Sequence, residues 1–218
     1  MALDLQVVFF DAHLLVLNKP SGLLAVPGRG EDKQDCLSAR VQAHYPDALI
    51  VHRLDMATSG LMLMARHIDV QRALSQAFEN REVHKRYEAV VQGCMNGHSD
   101  SAIDGWQLID LPIAVDWPRR PLRIIDAAHG KPSQTRWRAL AVEAATNSTR
   151  VALEPITGRS HQLRVHLQAL GHPILGDALY ADAAVQARAN RLLLHACGLR
   201  LPHPVTGEPM QFDSAPPF

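Results

Sequence analysis

Two polar stretches set into apolar surroundings hold residues able to do chemistry. The first is His52-Arg53-Leu54-Asp55-Met56-Ala57-Thr58-Ser59-Gly60, wedged between Leu49-Ile50-Val51 and Leu61-Met62-Leu63-Met64. Asp55 is a candidate reactive carboxylate. It can equally join Thr58 and Ser59 in a hydrogen-bonded turn, with Gly60 supplying an unusual backbone angle. The second stretch is Thr157-Gly158-Arg159-Ser160-His161-Gln162-Leu163-Arg164-Val165-His166. Gly158 precedes a helix start with Ser160 as its cap, so Arg159 belongs at the rim where strand gives way to helix. There it can face a carboxylate, a phosphate or solvent. His161, His166 and His172 invite a metal reading, but their spacings do not put neighbouring ligands on one helical face, and no metal is expected. Tyr87, in Lys85-Arg86-Tyr87 at the start of a strand, reads alone as half-buried packing. Leu192-Leu193-Leu194-His195-Ala196 reads alone as a buried strand with one histidine.

The elements that must position these residues are legible from periodicity. Leu5 to Phe10 and Leu14 to Leu17 read as two short strands separated by an Asp-Ala-His turn. Lys19-Pro20-Ser21-Gly22 and Pro27-Gly28-Arg29-Gly30 punctuate a shaped loop before a helix from about Asp35 to His44. Leu61 to Ala65 reads as a buried strand, and Val70, Ala73, Leu74, Ala77 and Phe78 recur at helical spacing behind Asp69 as cap. Arg86 to Gln92, Thr135 to Val142 and Arg150 to Ile156 alternate as half-buried strands. A helix from Ser160 aligns Leu163, Leu167 and Leu170 and stops at Gly171 and Pro173. Leu192 to Leu201 is a late strand. Strands and helices without regular βαβ alternation indicate an α+β class with one large mixed, mostly antiparallel sheet. Asn96 to Trp106 reads as a surface insertion.

Composition narrows the function classes. A chain of 218 residues with 47% hydrophobic content can bury a substantial core. No apolar run approaches the roughly 20 residues needed to span a bilayer, and the first residues do not resemble a secretory signal, so a cytoplasmic protein is expected. Cys36, Cys94 and Cys197 lie far apart without metal-ligand spacing and are expected as small, partly buried apolar residues. The balance of 22 basic and 22 acidic residues argues against coating nucleic acid by bulk charge. Distribution says more: Ser99 to Asp116 holds acids and no Lys or Arg, whereas Trp117 to Arg138 holds Arg119, Arg120, Arg123, Lys131, Arg136 and Arg138 against Asp126 alone. That switch fits either a solvated face or a phosphate-binding strip.

Taken together, Lys19-Pro20-Ser21-Gly22, His52-Arg53-Leu54-Asp55 with Thr58-Ser59-Gly60, Gly158 to Arg164, and Leu193-Leu194-His195-Ala196 resemble the RluA family of pseudouridine synthases, in order and spacing, over nearly the whole chain. The resemblance implies a single catalytic domain over residues 1–218 with flanking helices and an RNA-binding cleft. Only 18 residues precede Lys19, so a separate N-terminal RNA-binding domain is not expected. It further implies Asp55 as the catalytic aspartate, Tyr87 as the active-site tyrosine, Arg159 as the partner of Asp55, Leu194 packed on the uracil, Arg53 in the space left by the displaced base, and Lys19 and Pro20 supporting the pocket. Ser160 stands where many members have Thr.

The chemistry so implied breaks the N1 to C1′ bond of a uridine, turns the base and joins C5 to C1′, with no redox change and no cofactor. The base must leave the stack first. An ionised carboxylate can then attack the sugar or take a sugar proton, and desolvation, which raises a carboxylate pKa, has to be countered by a nearby charge such as Arg159. The short length looks most like the family's dual-specificity member, implying 23S ribosomal RNA and the tRNA anticodon stem-loop as substrates. No DNA or membrane partner is expected, and a monomer is. The basic strip and the Arg29 loop are the expected recognition surfaces. A non-catalytic RNA-binding module or RNA chaperone, and a His-based metallohydrolase, are the readings from other classes.

Overall fold

The computed structural model describes residues 5–96 and 105–218, so most of the insertion expected from Asn96 to Trp106 lies outside the described residues. In chain order the elements are β1 (Val7–Phe10), β2 (Leu14–Lys19), α1 (Leu37–Gln42), β3 (Leu49–Ile50), β4 (Ser59–Ala65), α2 (Ile68–Glu79) and β5 (His84–Gln92). There follow β6 (Gln107–Asp110), β7 (Ile113–Val115), β8 (Arg123–Ile125), β9 (Gln134–Glu143), β10 (Ser148–Pro155), α3 (Gln162–Ala169), α4 (Ala183–Gln186), β11 (Leu194–Pro202) and β12 (Pro209–Asp213). The chain divides into two compact units: residues 1–85 with 195–217, and residues 86–194 with 218.

In the first unit β4 is central. It pairs antiparallel with β2 along its length, from Leu14↔Ala65 to Lys19↔Gly60. It also pairs antiparallel with β3 at Leu49↔Ala65 and parallel with β11 at His195↔Ser59 and Ala196↔Gly60. The continuous apolar runs Leu14-Leu15-Val16-Leu17 and Leu61-Met62-Leu63-Met64 follow from burial on both faces. One face packs Leu14, Val16, Leu61 and Leu63 against Val70, Leu74 and Ala77 of α2. The other packs Leu15, Leu17, Met62 and Met64 against Leu37 and Val41 of α1. β4 and β11 approach so closely at Gly60 (φ +114) that a Cβ there would lie 2.3 Å from the carbonyl oxygen of Ala196. Gly60 thus supplies the unusual backbone angle expected of it.

The second unit is an antiparallel set in which β10 lies between β5 and β9, with β6 on the far side of β9. Register puts Tyr87, Ala89 and Val91 in line with Leu153, Val151 and Thr149, and Leu153 in line with Trp137. This row is buried apart from Tyr87 at its end, which is half-buried. β7 and β8 form a separate hairpin, with Val165 of α3 and Tyr180 packed on Ile113. Within α3, Arg164 makes a bidentate, buried ion pair with Asp177, Nε to Oδ2 at 2.8 Å and Nη2 to Oδ1 at 2.5 Å. Asp177 Oδ1 also accepts from the backbone N–H groups of Leu179 and Tyr180. Among the described strands, pairing within each unit is antiparallel apart from β4 with β11, in agreement with the expected α+β class and its mixed, mostly antiparallel sheet.

Several local expectations need correction. Asp69 is not the cap of α2; His67 holds that position, and Asp69 sits in the first turn, where a negative charge favours the helix dipole. Nor does Ser160 cap α3. His161 precedes the helix in the left-handed region (φ +58), held there by its ring Nδ1 at 2.6 Å from the Tyr180 hydroxyl. α1 is shorter than expected and starts behind Cys36, whose sulfur accepts from the Ala39 N–H. Cys36 and Cys197 are fully buried rather than partly so, and Cys94 is exposed.

His52 shows how tightly the first unit is closed. Its Nε2 accepts from the Leu63 N–H at 2.9 Å and its ring lies 4.6 Å from that of Phe78. Burial, with the positive charge of Lys85 nearby, pushes its pKa from 6.5 down to about 3. The folded protein therefore binds one proton fewer here than the unfolded chain between those values, so its contribution to stability is present above pH 6.5 and lost as pH falls toward 3. Urea titrations across that range should show stability falling with pH, and His52→Gln should flatten the slope. Gly60→Ala forces both a left-handed alanine and a clash with backbone, and should cost at least ~2 kcal/mol in the same measurement.

Candidate active site

Asp55 sits half-buried in the loop before β4, between the buried Leu54 and the exposed Met56. That loop is held through its backbone. The Asp55 carbonyl accepts from the Thr58 N–H at 3.1 Å. The Met56 carbonyl accepts from Lys19 Nζ at 3.0 Å and from the Gly22 N–H at 2.9 Å. The Ala57 carbonyl accepts from Ser21 Oγ at 2.7 Å. Three consecutive carbonyls are thereby fixed, two of them by the Lys19-Pro20-Ser21-Gly22 loop. Lys19 is fully buried, and its ammonium also donates to the carbonyls of Pro20 (2.8 Å) and Leu23 (2.7 Å). Thr58 and Ser59 are buried, so the turn reading of this stretch is correct as far as its backbone goes. Arg53, two residues before Asp55, is exposed.

A second clamp lies where the loop enters β4. Ser59 Oγ is 2.8 Å from His195 Nδ1, and His195 Nε2 is 3.1 Å from Ser214 Oγ. Both Ser59 and His195 are almost completely buried. The imidazole thus ties the start of β4 to the start of β11 and to the segment after β12. The sequence marks His195 only within the late-strand motif and Ser21 only within the Lys19-Pro20-Ser21-Gly22 loop, with no role for either, and it does not mark Ser214. The partners of Ser21 and Ser59 lie 36 and 136 residues away, beyond the reach of any local pattern.

In the second unit the Gly158 to Arg164 segment is organised by Gln162. Its side-chain oxygen accepts from Thr157 Oγ1 at 2.7 Å and from the Arg159 N–H at 3.0 Å. Its amide nitrogen donates to the Gln134 carbonyl at 2.9 Å and to Thr135 Oγ1 at 3.0 Å. Arg159 is exposed, with Nε 3.4 Å from the Pro132 carbonyl. Its backbone is thus fixed while its guanidinium reaches outward. Leu194 is buried at the first position of β11. Lys19, Pro20, Arg53 and Asp55 therefore share the first unit, and Tyr87, Arg159 and Leu194 the second.

The three histidines weighed as ligands each have a different task. His161 meets Tyr180, His166 lies between Thr135 Oγ1 (2.9 Å) and the Leu111 carbonyl (3.0 Å), and His172 meets the Gln92 carbonyl (2.8 Å). Burial lowers the pKa of His166, favouring its neutral form. Among the described residues no group of His, Cys, Asp or Glu is arranged to hold a metal ion, and no helix is long and apolar enough to cross a membrane.

The basic strip from Arg119 to Arg138 divides in two. Arg119 is paired with Asp116 (2.7 Å), and Arg120 lies over the Trp117 ring, both at the tip of the β7–β8 hairpin. On β9, Arg136 and Arg138 lie over Trp106 at 5.0 and 4.9 Å, and Arg136 also pairs with Glu154 at 3.1 Å. The Arg29 loop is exposed and shaped by Gln34, whose amide donates to the Gly30 carbonyl at 2.6 Å.

Comparison with known proteins agrees with this organisation. Residues 13–169 match the RNA pseudouridylate synthase family. The chain is 49% identical over 214 residues to the dual-specificity RNA pseudouridine synthase RluA of Escherichia coli O6:H1, covering 98% of this chain and 94% of that protein. It is 47% identical to the protein of the same name in Yersinia pestis, covering 97% and 99%. Among solved structures it resembles human RNA Pseudouridylate Synthase Domain Containing 1, with 29% identity and a TM-score of 0.78 over 99% of this chain and 84% of that one. Human RNA Pseudouridylate Synthase Domain Containing 4 follows with 25% identity and a TM-score of 0.72, covering 97% and 88%. With a family match across most of its length and relatives near half-identical end to end, this chain belongs to the RNA pseudouridylate synthases, enzymes that isomerise uridine within RNA.

Proposed function

We propose that this enzyme converts specific uridines of 23S ribosomal RNA and of the tRNA anticodon stem-loop to pseudouridine, acting in the cytoplasm as a monomer, with residues 1–218 working as one catalytic domain. The observation that carries the site assignment is the Asp55 loop, whose consecutive carbonyls are all held while the carboxylate stands half-buried at its head. A fixed backbone with a reactive side chain is what positioned catalysis requires. The likeness in sequence to dual-specificity enzymes supports the two RNA classes.

In this reading the target uridine leaves its stack and Arg53 enters the gap. Tyr87 and Leu194 hold the uracil by stacking and packing. Asp55 acts as a charged carboxylate on the sugar, by attack at C1′ or by removal of a proton from C2′. Both routes break the N1 to C1′ bond and leave the uracil in the pocket. The base turns, and C5 bonds to C1′ as the Asp55 ester bond breaks or as the C2′ proton returns from Asp55; the proton lost from C5 is matched by one gained at N1. Arg159 serves as the counter-charge, its guanidinium able to hold a carboxylate through two hydrogen bonds. Lys19 and Pro20 support the pocket from beneath. No redox change occurs, and no cofactor enters the scheme.

Asp55→Asn keeps the shape and removes the charge. Tritium release from [5-³H]uridine RNA should fall by ~10³-fold or more while RNA affinity persists; near-normal turnover would rule out Asp55 as the catalytic carboxylate. Arg159→Lys retains charge but loses the planar fork, so kcat should drop about 10²-fold with KM little changed. A loss confined to KM would make Arg159 a phosphate contact. Carbodiimide mapping of total RNA from cells with and without the gene tests the substrates, which should differ in both RNA classes.

A further inference from the structure

Trp117 is two-thirds exposed (67%), the largest exposure of any large hydrophobic side chain among the described residues. It stands at the tip of the β7–β8 hairpin. The tip is built rather than loose. Asp116 is buried and holds Arg119 through its carboxylate, and the same carboxylate accepts the Arg119 N–H. The loop closes with Asp116 N–H to the Leu122 carbonyl at 3.1 Å and Leu122 N–H to the Arg119 carbonyl at 3.0 Å. Over one face of the indole lies the Arg120 guanidinium, 4.7 Å from the ring centroid. With the guanidinium over the ring and the residue still two-thirds exposed, much of the indole is open to a flat partner.

Charge says what that partner is. The acids of the hairpin are committed within it, Asp116 to Arg119 and Asp126 to the N–H groups of Ala128 and His129, while Arg120 and Lys131 are exposed. The indole thus stands among cationic groups on a hairpin whose acids are already engaged. It has the two components of a single-stranded nucleic-acid contact, a stacking surface and positive charge for the adjoining phosphate.

The hairpin is also fastened to the segment that carries Arg159. Lys131 and Ile113 exchange both backbone hydrogen bonds at its base, and the carbonyl of the next residue, Pro132, faces Arg159 Nε. On its other side the Arg123 N–H donates to the Tyr180 hydroxyl, which meets His161. The tip lies four residues beyond Ile113, about 13 Å of extended strand. We propose that Trp117 with Arg120 forms a stacking platform for an unpaired base of the RNA loop, one that flanks the target uridine. This rests on the RNA substrate proposed above, and it assigns recognition of a neighbouring base to a part of the chain that performs no chemistry.

The test uses the full chain and a tRNA anticodon stem-loop. Trp117→Ala should raise KM and Kd for the stem-loop about 10-fold or more, with single-turnover rate at saturation within about 3-fold and thermal melting unchanged. Trp117→Phe should restore most of the affinity. RNA should quench the wild-type tryptophan fluorescence, and Trp117→Phe should lose that quenching although Trp106 and Trp137 still emit. Unchanged affinity in Trp117→Ala, or quenching that survives in Trp117→Phe, overturns the platform. The wild-type enzyme reports separately: if it fails to modify the stem-loop, the substrate reading falls rather than the platform.

Discussion

The ammonium of Lys19 is the interaction on which the first unit's chemistry depends. Removing such a charge from water costs several kcal/mol unless oxygen atoms replace the lost solvent. Here the carbonyls of Pro20, Leu23 and Met56 do so. Because these oxygens belong to two loops distant in sequence, satisfying the charge forces the loops together. Asp55 immediately precedes the residue whose carbonyl is captured, so the solvation of Lys19 also sets where the Asp55 backbone lies. The Ser21 hydroxyl and the His195 imidazole extend the same logic along the chain after Asp55, holding the Ala57 carbonyl and the Ser59 hydroxyl.

The second unit solves a similar problem with different means. Gln162 is neutral, and an amide satisfied on both its oxygen and its nitrogen can be buried at modest cost. Its bonds fix the Thr157 hydroxyl and the Arg159 backbone against the start of β9. Two residues on in the same helix, Arg164 pairs with Asp177, and the backbone donors of Leu179 and Tyr180 complete the carboxylate's needs. Truncating one partner of such a pair leaves the other buried and uncompensated. The segment bearing Arg159 is thus rigid from its turn into its helix, while the Arg159 side chain itself remains at the surface.

Much of this was legible in the sequence because it obeys local rules. The runs Leu14 to Leu17 and Leu61 to Ala65 are strands buried on both faces, and the helix behind His67 shows its apolar stripe at helical spacing. Asp55 and Arg159 were legible as polar interruptions of apolar runs, whereas Tyr87 and Leu194 read locally as packing and became candidates only through the family resemblance. What was hidden depends on distance. The caps were misread because Asp69 and Ser160 have favourable types, whereas His67 and His161 occupy the cap positions, His161 with a hydrogen bond to Tyr180. β3, β7 and β8 span two or three residues each, too short for alternation to register, and β12 follows a turn after Pro202 with only Met210 and Phe212 half-buried to signal it. The roles of Ser21, Ser59 and Gln162 as clamps required partners that only the folded chain supplies.

Because the Asp55 loop is secured at Met56 through a main-chain oxygen, the side chain at that position is released from structural duty. Met56 is half exposed (53%) although its carbonyl is among the most firmly held in the unit. A position of that kind can change its side chain without disturbing the geometry beside it, since every residue type offers the same carbonyl. Beside an invariant reaction, the loop therefore provides a site where surface chemistry can drift, and where related enzymes can diverge in what they accept while keeping one catalytic frame.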